Sequence, residues 1–211
     1  MIISHEHKLI YVKNAKVAGT STEVLLENAL FPEITTFGIY TKALNNSRGI
    51  TNNRQDGGVS HITLPEIYAQ YGDHLKSYLT VCNVRNPFDQ VVSWYFHNRN
   101  GVIKPRSSGE GFKKWVLHKP HLEALVHRNG TFLVDGKVII DFIIRYESLK
   151  EDLVKLFNKF SLDRFLIDKL PDHLGDCRPE GSSYREYYDE ASVRAVTEVF
   201  KLPLEALGYK F

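Results

Sequence analysis

Leu9-Ile10-Tyr11-Val12-Lys13-Asn14-Ala15-Lys16-Val17-Ala18-Gly19-Thr20-Ser21-Thr22-Glu23-Val24-Leu25-Leu26 changes character twice in eighteen residues. Its first four residues are an apolar run rich in β-formers, which predicts a buried strand. From Thr22 to Leu30, with Val24, Leu25 and Leu26 apolar and Pro32 just beyond, the pattern predicts a helix. A short loop joins the two, so the stretch reads as strand, tight turn, helix.

The pattern recurs downstream. Tyr78 to Val84 predicts a second buried strand, and Arg85-Asn86-Pro87 leads into a helix carrying Phe88, Val91, Val92, Trp94 and Tyr95. Pro87 is well suited to the first helical position, where its missing N–H costs nothing. A short helix is expected from Leu64 to Tyr71, two helical patterns around Pro120, and a hairpin over 131–140 turning at Asp135-Gly136. Asp141 to Tyr146 extends that hairpin, Glu147 to Phe160 reads as an amphipathic helix, and Ala191 to Phe200 as the last one. Residues 41–60 and 171–188 are polar and turn-rich, and read as loops. Strands alternating with helices imply an α/β fold with a mainly parallel sheet.

With 211 residues, the chain is expected to form one domain over 1–211. A composition of 43% hydrophobic and 25% charged residues excludes a disordered or collagenous chain. The formal charge of +2 gives no overall drive toward nucleic acid or a membrane surface. Met1 to Lys8 has neither the apolar run nor the small-residue site of a signal peptide, and no stretch of about 18 apolar residues is present, so a cytoplasmic protein is expected. Cys82, inside an apolar run, reads as a core residue. His5 and His7 read as a solvated pair near the chain start. His118 and His121 lack a third ligand for a metal.

Both strand-to-helix turns carry groups suited to an anion. At the first, Gly19-Thr20-Ser21 would offer backbone N–H groups, two hydroxyls and a helix N-terminus, with Lys16 as a point charge nearby. The same residues would also serve as an ordinary capped helix start. The lysine stands three residues before the glycine, not after it as in the G-x-x-x-x-G-K-[ST] phosphate loop, and the second strand ends in Arg85 instead of a metal-binding Asp. At the second turn, Arg85 is a fork for phosphate and Ser93, eight residues on, a short donor. Open parallel sheets bind ligands at the carboxyl ends of their strands, so a ligand with two separated phosphates would use both turns.

These motifs resemble those of PAPS-dependent sulfotransferases. Lys16-Val17-Ala18-Gly19-Thr20-Ser21 is similar to the end of their 5′-phosphosulfate loop, P-K-T-G-G-T-S. Val84-Arg85-Asn86-Pro87-Phe88-Asp89-Gln90-Val91-Val92-Ser93-Trp94-Tyr95 resembles their 3′-phosphate motif, V-R-[ND]-P-x-[DE]-R-x-x-S-x-[YF]. Tyr184-Arg185-Glu186-Tyr187-Tyr188, Leu207-Gly208-Tyr209-Lys210-Phe211 and Asp141 to Leu149 resemble motifs of the carbohydrate-type branch. Ala15 and Ala18 stand where that family has Pro and Gly, and Gln90 where it has Arg.

The resemblance implies a P-loop-like three-layer fold with a central parallel sheet, and transfer of the PAPS sulfuryl group to a hydroxyl or amine of a carbohydrate or small molecule, with PAP as product and no metal. It implies that Lys16, Val17, Ala18, Gly19, Thr20 and Ser21 hold the 5′-phosphate, and that Arg85 and Ser93 hold the 3′-phosphate. Arg178, Tyr184 and Arg185 would close over the nucleotide. His61, in a segment resembling one that carries a catalytic histidine, would be the base with Lys16 as its electrostatic partner. His97 is the next histidine in line for that role. Two other readings stay open: a P-loop-type kinase and a non-catalytic PAP-binding module.

Overall fold

A computed structural model describes residues 1–32, 49–51, 61–99, 109–128, 132–134, 136–170 and 182–211. In chain order the strands are β1 (Ile2–Ser4), β2 (Leu9–Val12), β3 (Gly49–Thr51), β4 (Leu79–Val84), β5 (Leu133–Val134), β6 (Lys137–Val138) and β7 (Phe142–Arg145). The helices are α1 (Gly19–Leu30), α2 (Leu64–Tyr71), α3 (Pro87–Arg99), α4 (Gly109–Val116), α5 (Lys119–Arg128), α6 (Leu149–Lys159), α7 (Glu190–Val199) and α8 (Lys201–Leu207). The chain divides into two compact units, Met1–Val84 with Ile139–His173, and Arg85–Val138 with Leu174–Phe211.

The first unit holds a five-stranded sheet in the order β3-β1-β2-β4-β7. β2 pairs parallel with β4, and β4 with β7, while β1 is antiparallel to both β2 and β3. Four of the five strands therefore run the same way, and β1 alone opposes them. All four residues of β2 are 0% exposed, so both faces of that strand are covered and its apolar run needs no polar alternation. One core packs β2, β4 and β7 against α1 and α6. It includes Tyr11, Val81 and Ile144 from the strands, Leu25, Leu26 and Leu30 from α1, and Leu153, Leu156 and Phe157 from α6. The architecture is α/β with a mostly parallel sheet and flanking helices.

The second unit is mainly helical, with the β5–β6 hairpin and aromatic packing. Tyr95 lies 5.3 Å from both Phe112 and Trp115, Phe96 lies 5.3 Å from Tyr187, and Phe112 lies 4.9 Å from Tyr188, all edge-on. Such ring pairs are favoured by their quadrupoles beyond the area they bury.

Several expectations are corrected. Gly49–Thr51 lies within the segment read as a loop, yet it is a strand beside β1. A Cβ on Gly49 would collide with the Ile3 carbonyl oxygen, so only glycine fits there. The hairpin forms, with Leu133 opposite Val138 and Gly136 at φ 75°, but β7 does not extend it; β7 pairs with β4 in the large sheet. His5 and His7 are half-buried and have partners: His5 Nδ1 lies 3.0 Å from the Tyr78 hydroxyl, and His7 Nδ1 lies 3.1 Å from Ser4 Oγ. The remainder of residues 41–60 lies outside the described residues.

Asp141 locks the start of β7 to β4. Its Oδ2 accepts from the Thr80 backbone N–H at 2.8 Å and from the Thr80 hydroxyl at 2.7 Å. Asp141→Ala leaves both donors without that acceptor, and the expected cost is about 2 kcal/mol of unfolding free energy. Urea denaturation of the variant against the wild type measures it.

Candidate active site

β2 ends at Val12, and residues 13–18 carry the chain to Gly19, the first residue of α1. Two non-glycine residues of this turn, Lys16 at φ 59° and Ala18 at φ 60°, are left-handed. That conformation brings Cβ against the backbone and costs roughly 1–2 kcal/mol per residue. Gly19 is confined for a different reason: a Cβ there would lie 2.9 Å from Lys13 Cγ and 3.1 Å from the Asn14 carbonyl oxygen. Ala18, at the N-cap, makes no side-chain capping bond, and the first turn of α1 has no acidic residue. The positive end of the helix dipole thus meets no carboxylate in its own first turn, which favours an incoming anion.

The turn's two lysines have different roles. Lys13 is buried, and its Nζ lies 2.6 Å from Glu23 Oε2; Glu23 also takes a bond from the Met1 α-amino group. Burial pushes the Glu23 carboxyl up, but these two cations outweigh it and hold it below the usual carboxylate range. Lys16 is half-buried. The Lys13 carbonyl oxygen accepts a hydrogen bond from His61 Nδ1 at 2.9 Å. A carbonyl can only accept, so Nδ1 carries a proton and Nε2 is the ring nitrogen turned away from this carbonyl.

A buried polar network lies under the turn. Asn14 Nδ2 donates to the Asn83 carbonyl at 2.8 Å, and Asn83 Nδ2 donates to the Val17 carbonyl at 3.2 Å and to Thr22 Oγ1 at 2.8 Å. The Tyr11 hydroxyl donates to the Gly19 carbonyl at 3.2 Å. Burial first, and the Glu23 charge second, hold the Tyr11 phenol protonated far above its ordinary range.

The second unit contains the other turn. Arg85 is 7% exposed, and Asp89 Oδ2 takes its Nε at 2.8 Å and its Nη2 at 2.7 Å, which fixes the guanidinium plane. Asn86 caps α3: its Oδ1 accepts from the Phe88 N–H at 3.0 Å. Its Nδ2 reaches the Lys210 carbonyl at 3.0 Å and the Tyr184 hydroxyl at 3.4 Å. The Arg185 guanidinium lies over the Tyr184 ring at 4.7 Å and the Phe211 ring at 5.6 Å. Phe211 in turn packs on Phe88 and Tyr188 at 5.0 and 5.3 Å. Ser93 is half-buried, two turns along α3 from Arg85.

Residues 1–210 match the sulfotransferase family. The chain belongs to that family. An uncharacterised protein of Archaeoglobus fulgidus is 35% identical over 86 residues, which span 40% of this chain and 69% of that protein.

Of the sulfotransferase residues expected from sequence, the structure gathers Lys16, Val17, Ala18, Gly19, Thr20 and Ser21 in one turn and hangs His61 on that turn's first residue. In the second unit it brings Tyr184 to Asn86, the neighbour of Arg85, with Arg185 stacked on Tyr184. Arg178 lies outside the described residues. His97 stacks near Trp94 at 6.4 Å. His121 stacks on Trp115 at 5.0 Å beside His118, and among the described residues no group of three or more His, Cys, Asp or Glu is placed to hold a metal ion. No helix among the described residues is long and apolar enough to cross a membrane. Sequence reading missed Tyr11, Lys13, Asn14, Thr22 and Asn83. The signal for Asn83 was an amide inside an otherwise apolar strand run.

Two substitutions test the turn. Gly19→Ala forces a methyl onto Lys13 and Asn14, with an expected loss of about 1–3 kcal/mol of stability. Ala18→Gly relieves a left-handed alanine, with an expected gain of about 1 kcal/mol. Thermal unfolding of both variants reads the two signs.

Proposed function

We propose that this sulfotransferase moves the sulfuryl group of PAPS to a hydroxyl or amine of a carbohydrate or small-molecule acceptor, with residues 1–211 acting as one catalytic domain. The observation that supports the reading is the hydrogen bond from His61 Nδ1 to the Lys13 carbonyl, which ties the imidazole to the same turn that leads into Gly19, Thr20 and Ser21; in this reading Nε2 is the proton acceptor.

In this reading Gly19, Thr20 and Ser21 hold the 5′-phosphate with backbone N–H groups and hydroxyls, and Val17 and Ala18 shape the loop. Lys16 stands by the bridging oxygen. Arg85 and Ser93 hold the 3′-phosphate, while Tyr184 and Arg185, with Arg178, cover the nucleotide. The acceptor oxygen attacks sulfur in line as the bond from sulfur to the 5′-phosphate oxygen breaks. His61 Nε2 takes the acceptor's proton. Negative charge grows on the departing phosphate oxygen, where the Lys16 ammonium is worth more in the transition state than in the ground state. The products are the sulfated acceptor and PAP.

The nucleotide assignment predicts that PAP binds at least about tenfold tighter than AMP, because a charge-assisted bond to the 3′-phosphate contributes about 1.5–3 kcal/mol. Calorimetry with both nucleotides checks this, and equal affinities contradict the role of Arg85 and Ser93.

The chemical assignment predicts a split between binding and turnover. His61→Ala keeps PAP affinity while sulfuryl transfer falls by roughly 10²–10⁴-fold. Lys16→Ala lowers turnover more than PAP affinity. Full transfer activity in His61→Ala moves the base elsewhere, and loss of PAP binding with intact turnover makes Lys16 a ground-state anchor.

A further inference from the structure

We propose that Asn83 is the positioning residue of the β2–α1 turn: through its side-chain amide it sets the direction in which the turn's backbone N–H groups face the 5′-phosphate. The proposal rests on the sulfotransferase reading above and adds to it a residue from β4 that contacts no substrate.

Asn83 is 0% exposed on a strand whose neighbours Val81, Cys82 and Val84 are apolar. An apolar side chain would fill that place without the cost of burying an amide. The Asn83 amide nitrogen donates to the Val17 carbonyl in the turn and to the Thr22 hydroxyl in the first turn of α1. A backbone carbonyl cannot donate, so Nδ2 must face Val17 and the amide has only one orientation. Asn83 Oδ1, by contrast, is buried with no hydrogen-bond partner among the described residues. A polar residue that only knitted the core together would satisfy both ends; this one leaves its acceptor unsatisfied and spends its donors on the turn and the helix start that follows it.

The consequence follows from peptide geometry. In a trans peptide the C=O and the next N–H point in opposite directions. Asn83 draws the Val17 C=O inward, which turns the Ala18 N–H outward. Thr22 takes the second amide hydrogen of Asn83 on its hydroxyl, and Tyr11, from β2, donates to the Gly19 C=O, which orients the Thr20 N–H in the same manner. Asn14, bonded to the Asn83 carbonyl, fixes the other end of the loop. Lys16 and Ala18, the two left-handed residues, lie between these anchors. The network holds them in a conformation that neither side chain favours.

The test uses three nucleotides that separate the two phosphates: PAP with both, 5′-AMP with the 5′-phosphate only, and 3′-AMP with the 3′-phosphate only. Calorimetry gives Kd for each on the wild type, Asn83→Leu and Thr22→Val, and thermal unfolding checks that each variant is folded. Asn83→Leu is expected to weaken PAP and 5′-AMP by the same factor, roughly tenfold or more, and to leave 3′-AMP unchanged. Thr22→Val, which removes one of the two acceptors, is expected to show the same pattern at a few-fold, and it carries the test if Asn83→Leu does not fold. Equal losses for all three nucleotides, or no loss for any, overturn the positioning role while PAP binding by the wild type keeps the nucleotide reading intact. A wild type that binds no PAP overturns that reading, and the proposal with it.

Discussion

Parallel strands cannot be joined by a tight hairpin, so a chain that pairs β2 with β4 must leave the sheet after Val12 and return to it at Leu79. The pairing runs in register from Leu9 opposite Leu79 to Val12 opposite Cys82. It places the Asn83 side chain, one residue further along β4, beneath the turn that follows β2. The buried residues of β2 admit no polar group except Tyr11, whose hydroxyl reaches Gly19. The turn's shape is therefore set from the sheet side, by two strands, before any ligand arrives.

That constraint explains how the turn holds an alanine in the left-handed conformation. A left-handed alanine in a free loop would relax. Here Val17 and Gly19 on either side of Ala18 are both held through their carbonyls, and the Thr22 N–H bonds the Ala18 carbonyl at 3.0 Å. The same turn holds a charged interior, Lys13 against Glu23, whose pairing spares each ion the cost of lone burial. The Lys13 backbone then does separate work by orienting His61. In the second unit the Arg85–Asp89 pair plays a comparable part, fixing a guanidinium by two bonds to one carboxylate oxygen. There, the chain from Leu207 to Phe211 contributes a backbone acceptor to Asn86 and a ring to the aromatic cluster.

Local signals were enough for much of the fold. The helix from Leu64 to Tyr71 has the predicted bounds because Thr63 and Glu66 form a reciprocal capping box with Pro65 in the first turn. The run from Leu79 to Val84 and the Pro87 helix start were equally readable. β1 and β3 were not, since three residues carry too little periodicity and β3 pairs with a strand more than forty residues earlier. β7 was assigned to the hairpin because its true neighbour, β4, lies some sixty residues earlier. α8 went unseen because Pro203 stands inside it and it follows α7 after a single residue, Phe200. At the candidate site, the Lys16 to Ser21 turn before α1 and the Arg85-to-Ser93 stretch leading into α3 stand out in the sequence as motifs. Asn83 and Tyr11 act on backbone carbonyls of other residues and Lys13 through its own carbonyl, and no sequence spacing reports that.

The central claim is that the clamped turn between β2 and α1 is where the nucleotide's 5′-phosphate binds. The most direct measurement is a ¹⁵N-resolved NMR titration of the protein with PAP, following the backbone amides of Gly19, Thr20 and Ser21. The account predicts large, saturable shifts of these three resonances, as expected for N–H groups that take a charge-assisted bond. Saturable PAP binding with the three amides unmoved would contradict it.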